Sequence, residues 1–197
     1  MEKNKMLMIS SVLLLIVMLL GATFSYFAAI ARGDQNIDAV AANFGASVTI
    51  TGLYGDKLLI PMNDSDVMTG YNNQCIDQYG FGACYAYNIH VENTGDKFSY
   101  AGTINFDVND IENLKYLVLG EENNKYVDDT AIISGEDQTL GNAFELDTGE
   151  SRDFVLVIWL SNLPEPQDDE DAGGNFSALV TYESTYGSKI TGSFSVS

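Results

Sequence analysis

The spacing of apolar positions changes abruptly near residue 32. From Met6 through Ile16 to Leu20 the chain is uncharged and apolar almost throughout. Lys3 and Lys5 precede this stretch, and Gly21-Ala22-Thr23-Phe24-Ser25-Tyr26-Phe27-Ala28-Ala29 follows it. A helix of about 20 apolar residues crosses a bilayer. A basic start, an apolar middle and a small-residue end also make an export signal. Ala29-Ile30-Ala31 fits the A-x-A cleavage rule, with Ser25 an earlier candidate cut. Residues 1–31 are therefore expected to be a signal peptide or membrane anchor. Either way the lysines stay inside and residues 32–197 lie outside as one domain. A buried core helix fits poorly, because the run is apolar on every face.

Beyond that point the period is two. Ser47-Val48-Thr49-Ile50-Thr51 alternates, and Tyr85, Tyr87, Ile89 and Val91 share one face with Asn88, His90 and Glu92 on the other. Asn93-Thr94-Gly95-Asp96 reads as a turn, after which Ile104, Phe106 and Val108 alternate with polar residues. Leu114 to Leu119 is a short apolar run. Phe154 to Leu160 is apolar on both faces and rich in β-branched residues, which predicts a central strand covered on both sides. Ala178 to Tyr186 and Ile190 to Val196 close the chain as two more strands. A short helix is expected only near Ile37 to Phe44. Eight to ten strands with turn signals between them predict an all-β fold: two antiparallel sheets packed face to face in a jelly-roll-like sandwich.

Charge narrows the partners. The chain has 28 acidic and 9 basic residues, a net charge of −19; without residues 1–31 it loses one acid and two lysines and carries −20. Phosphate binding needs clustered Lys and Arg, so nucleic acid is excluded as a partner. Weak, loose association with divalent cations is compatible with such a surface. Cys75 and Cys84 are the only cysteines, and Gly80 and Gly82 let the chain between them turn back. In an exported chain such a pair forms a structural disulfide.

Candidate chemistry is sparse. His90, the only histidine, sits on the polar face of a strand, which rules out a His-Glu-x-x-His zinc site. No Gly-x-Ser-x-Gly elbow accompanies it. Asp107, Asp110, Glu112 and Asp168 to Asp171 are acidic candidates only because acids abound, and the last run has loop composition. Calcium would suit it or Asn63-Asp64-Ser65-Asp66, but EF-hand spacing is absent. Trp159 reads as core. Tyr71, Tyr79, Phe81, Tyr85 and Tyr87 gather around the cysteines, either packed over the bridge or forming an exposed patch. No catalytic, cofactor or metal residues are nominated.

The signal ending Gly-Ala-Thr-Phe-Ser-Tyr-Phe (residues 21–27) and the strand-turn Ile89-His90-Val91-Glu92-Asn93-Thr94-Gly95 resemble TasA/camelysin-like exported proteins of Gram-positive bacteria. The late strand Glu150 to Leu160 and the final strand pair are similar in kind. The resemblance implies a jelly roll, cleavage by a dedicated signal peptidase, and a biofilm-matrix or surface-fibre role in which a freed N-terminal segment adds as a strand to the next subunit. Here the donor would be Ile37 to Ile50, with Val40, Phe44, Val48 and Ile50 filling a partner's groove; the competing expectation is pairing within its own domain. The cysteines depart from the family pattern, and Ser25 stands where Ala is expected at the cut. Camelysin-like metallopeptidase activity finds no motif here. The leading expectation is a non-enzymatic, extracellular or cell-surface protein that self-associates or binds other matrix proteins. The alternative is an adhesin-like binding module held in the membrane by its uncleaved helix, with a hydrolase a distant third.

Overall fold

The computed structural model describes residues 39–40, 45–55, 58–162 and 174–196. The apolar N-terminal stretch, both candidate cleavage positions, Phe44 and the Asp168 to Asp171 run lie outside them.

Alternation produces the architecture. Strands β1 (Ala39–Val40), β2 (Ala46–Tyr54), β3 (Tyr85–Asn93), β5 (Leu114–Leu119), β6 (Lys125–Ala131) and β9 (Glu150–Leu160) form one sheet in the order β1-β2-β3-β9-β5-β6. The second sheet orders β11 (Lys189–Val196), β10 (Asn175–Ser184), β4 (Phe98–Asn109) and β7 (Asp137–Thr139), with β8 (Phe144–Leu146) also pairing β4. Every strand pair is antiparallel. The two-sheet antiparallel sandwich expected from the alternation is thus the fold.

Between the sheets, Ile50, Ile89, Ile104, Phe106, Tyr116, Leu156, Ile158 and Val180 are buried in one continuous core. Each comes from the apolar phase of its strand, since successive side chains point to opposite faces. β9 is apolar on both faces for a specific reason. Leu156 and Ile158 face the other sheet, whereas Val157 and Trp159 join a second buried cluster with Leu117, Leu119, Ala86, Val67 and both cysteines. That cluster lies under an excursion between β2 and β3, which includes a 3-10 turn (Asp64–Asp66) and the short helix α1 (Val67–Asn72).

Two sequence readings need correction. A helix near Ile37 to Phe44 does not fit Ala39–Val40, which are strand; the rest of that segment lies outside the described residues. The helix that does form, α1, carries Gly70 in its middle. A Cβ there would stand 3.2 Å from Met62 Cε and 3.3 Å from Ala83 Cβ, so close packing overrides the poor helix propensity.

The Asn-Thr-Gly turn is a clamp as well as a turn. Asn93 is fully buried. Its amide donates to the carbonyls of Asp96 (2.7 Å) and Leu146 (3.1 Å) and accepts from Gly95 N–H and the Tyr100 hydroxyl. Thr94 Oγ1 donates to the Gly45 carbonyl at 2.6 Å, as does Gly95 N at 3.0 Å. Gly45 has φ +60°, and a Cβ would meet Gly95 N at 2.5 Å, so only glycine fits where the chain enters β2.

Candidate functional site

The excursion builds a cleft on the outer face of the first sheet. One wall is residues 60–63, fastened to the end of β9 by Met62 N donating to Leu160 O and Asn162 N donating to Met62 O, both 2.9 Å. The other is the disulfide loop, with Cys75 and Cys84 bridged and their Cα atoms 4.7 Å apart. The chain folds back inside that loop because Ala83 N donates to Cys75 O and Asp77 N to Phe81 O. Asp77 Oδ1 accepts from Tyr79 N (2.9 Å) and Phe81 N (2.7 Å), which fixes the tip. Ile60 N donates to Gly82 O and ties the two walls together. Gly70 and Ala83 also line the cleft.

This cleft has a volume of about 530 Å³. Its polar lining includes Asn63, Asp66, Asn73, Asp77, Gln78 and Asn162, and its apolar lining Ile60, Pro61, Met62 and Ile76. Tyr79, also in the lining, is 75% exposed at the loop tip.

Beneath the excursion, Asp64 pins it to the sheet. Asp64 Oδ1 accepts from Trp159 Nε1 (3.0 Å) and Ser161 Oγ (2.9 Å), and Oδ2 pairs with Lys115 Nζ. Burial pushes the Asp64 carboxyl up, but hydrogen bonds from Lys115, Trp159 and Ser161 and the Lys115 charge outweigh it, leaving the group below its ordinary 3.8.

A second feature is the outer edge of β2. Of β2, only Val48 and Ser47 are paired by β1, in the register Ala39↔Val48 and Val40↔Ser47. From Ile50 to Tyr54 the outer edge of β2 carries no strand among the described residues. β11 pairs β10 without interruption from Lys189 to Val196 and has no strand on its other side among the described residues. Both β1 and β2 lie against β11. The two sheets therefore approach along one side of the sandwich, with no strand between them among the described residues.

No family model matches the chain, and no curated protein does. Among solved structures it is similar to the sporulation control protein Spo0M of Bacillus subtilis, at 10% identity over 77% of this chain and 48% of that one, TM-score 0.39. A PA14 sugar-binding domain from an RTX adhesin is similar at 12% identity, 80% and 85% coverage and TM-score 0.33. The CupB6 tip adhesin of Pseudomonas aeruginosa is similar at 8%, 77% and 45%, with TM-score 0.31. The chain thus spans about half the length of Spo0M. At such identities and scores these likenesses carry no argument about what the chain does.

The residues nominated from sequence scatter. Val48 and Ile50 are buried in the chain's own core, and Val40 lies in β1. Of the aromatic group around the cysteines, Tyr85 and Tyr87 face the inter-sheet core, Tyr71 packs on the outer cluster, and Tyr79 and Phe81 are exposed. They are therefore not one patch: Tyr85 and Tyr87 share the inner face of β3, Tyr71 stands on α1, and Tyr79 and Phe81 lie in the disulfide loop. His90 Nδ1 lies 2.9 Å from Asp153 Oδ1, which also accepts from Asn88 Nδ2 at 2.8 Å. This pair stands on the outer face of β3 and β9, and neither residue lines the cleft. Among the described residues no three His, Cys, Asp or Glu gather as a metal site. The cleft was missed because its lining mixes polar and apolar residues of one irregular stretch, residues 60–83, with Asn162 added from beyond β9; the nearest sequence signal was the pair of glycines between the cysteines.

Proposed function

We propose that this chain is an exported, non-enzymatic cell-surface or extracellular-matrix protein whose copies join by strand addition at the β2 edge. The observation that carries this reading is the edge of β2 from Ile50 to Tyr54, which no strand pairs among the described residues, beside β11. Main-chain hydrogen bonds to an incoming strand would supply affinity there, and alternate side chains specificity. The Cys75–Cys84 bridge supports an oxidising, extracellular setting.

The occupant is the N-terminal segment of a second copy. Because Val48 and Ile50 fill the chain's own core, the donated part lies upstream of β2. A cut after Ser25 or Ala31 frees the residues before β1 for this pairing. Retained, the segment is a membrane anchor, and the chain is then a surface binding module, a reading favoured by the cleft over the disulfide loop.

The test expresses the full chain in a Gram-positive host. The mature N-terminus is read by mass spectrometry and assembly by electron microscopy. Fibres from material cut near Ser25 or Ala31, lost in Thr51→Pro, are expected. Exported protein that starts at Met1 and remains monomeric defeats the proposal.

A further inference from the structure

The cleft over the disulfide loop has the chemistry of a sugar site. An amide presents both a donor and an acceptor, which matches hydroxyl groups that also do both; of the cleft's four, Asn162 Nδ2 already donates to Asn63 Oδ1 and Asn63 Nδ2 to Asp66. The side chains of Asn73 and Gln78 have no hydrogen-bond partner among the described residues, so both are available to a ligand. The two carboxylates are partly engaged already. Asp66 accepts from Asn63 Nδ2 (3.2 Å) and Ser65 Oγ (3.3 Å), and Asp77 Oδ1 accepts two backbone N–H groups. Among the described residues that line the cleft there is no Lys, Arg or His, so an anionic ligand would meet only like charge.

The apolar elements fit the same ligand. A pyranose has a C–H face that packs on an aromatic ring, and Tyr79 offers a ring at the cleft rim. Ile60, Met62 and Ile76 supply further apolar surface in the lining. A volume of about 530 Å³ lies within the range of small-ligand pockets. The walls are pre-organised by the disulfide, the Asp77 turn and the bonds to β9, so little ordering cost accompanies binding.

We propose that this cleft binds a neutral oligosaccharide, with Tyr79 stacking on a ring face and Asn73 and Gln78 reading its hydroxyls. The site is separate from the β2 edge, so it stands or falls independently of strand addition.

The full chain, purified in a detergent without a sugar headgroup, is titrated with neutral di- and trisaccharides of glucose, galactose and N-acetylglucosamine. Trilysine serves as the cationic competitor. Saturation-transfer NMR and calorimetry read binding. At least one saccharide is expected to bind. Tyr79→Ala should weaken it about tenfold, the effect of losing one aromatic contact, and Asn73→Ala and Gln78→Ala should each weaken it measurably. All three side chains are exposed, so the melting temperatures should match the parent's and separate lost binding from lost folding. No binding by any saccharide at millimolar concentration overturns the proposal. So does saccharide binding that all three variants leave unchanged, or a cleft that takes trilysine and no sugar.

Discussion

Asn93 shows how one side chain can hold a topology together. Its amide bonds the β3–β4 turn to the carbonyl of Leu146 at the end of β8. Replacing it with Leu keeps the branching, adds bulk, and strands the carbonyls of Asp96 and Leu146 and the Tyr100 hydroxyl. With about 1–3 kcal/mol for each orphaned buried group, Asn93→Leu is expected to cost about 3 kcal/mol in urea unfolding. Asn93→Asp should cost more, because a carboxylate oxygen would then face two carbonyls. Asp64 gives a prediction in pH. Its folded carboxyl titrates below 3.8, so the unfolded chain binds the proton first as pH falls. Its contribution to stability is therefore whole above that value and is lost as pH drops through the lower folded value. Asp64→Asn should lower the urea midpoint at pH 7 and flatten the fall in stability below pH 4.

At the scale of elements, the excursion between β2 and β3 depends on its bridge. Closing a loop with a sequence separation of 9 restricts the unfolded chain by about 2–3 kcal/mol. The Cys75→Ser, Cys84→Ser double variant should melt about 5–10 °C lower. Proteolysis should then cut first between residues 75 and 84. The same element marks where sequence stops being informative. β3, β9, β10 and β11 were legible because their alternation faces a core on one side or, for β9, on both. β6, β7 and β8 were not. Only Val127 of β6 is buried, and β7 and β8 have three residues each, too few to show a period. The cleft was illegible for a different reason. Bridges Met62↔Ser161 and Leu59↔Gly82 bring its walls together from separate parts of the chain, and nothing in their local composition announces that pairing.

For the whole molecule, charge and strand addition oppose one another. On the proposed function, a copy cut near Ser25 or Ala31 carries −20, so approach of two copies is resisted by long-range repulsion. Backbone hydrogen bonds and buried apolar contacts act only at short range and are little affected by salt. The Debye length falls from about 10 Å at 0.1 M to about 3 Å at 1 M. Added sodium chloride should therefore speed assembly of the mature protein, followed by light scattering. Mild acidification should do the same. Near pH 4.5 surface carboxylates with ordinary values of about 3.9–4.3 begin to take up protons, while the Asp64 contribution, lost only below 3.8, is still in place. Assembly at pH 4.5 should then outpace assembly at pH 7 without loss of fold. If salt instead dissolved the assemblies, ion pairs between copies would be holding them, and an open β2 edge could not be the principal joint.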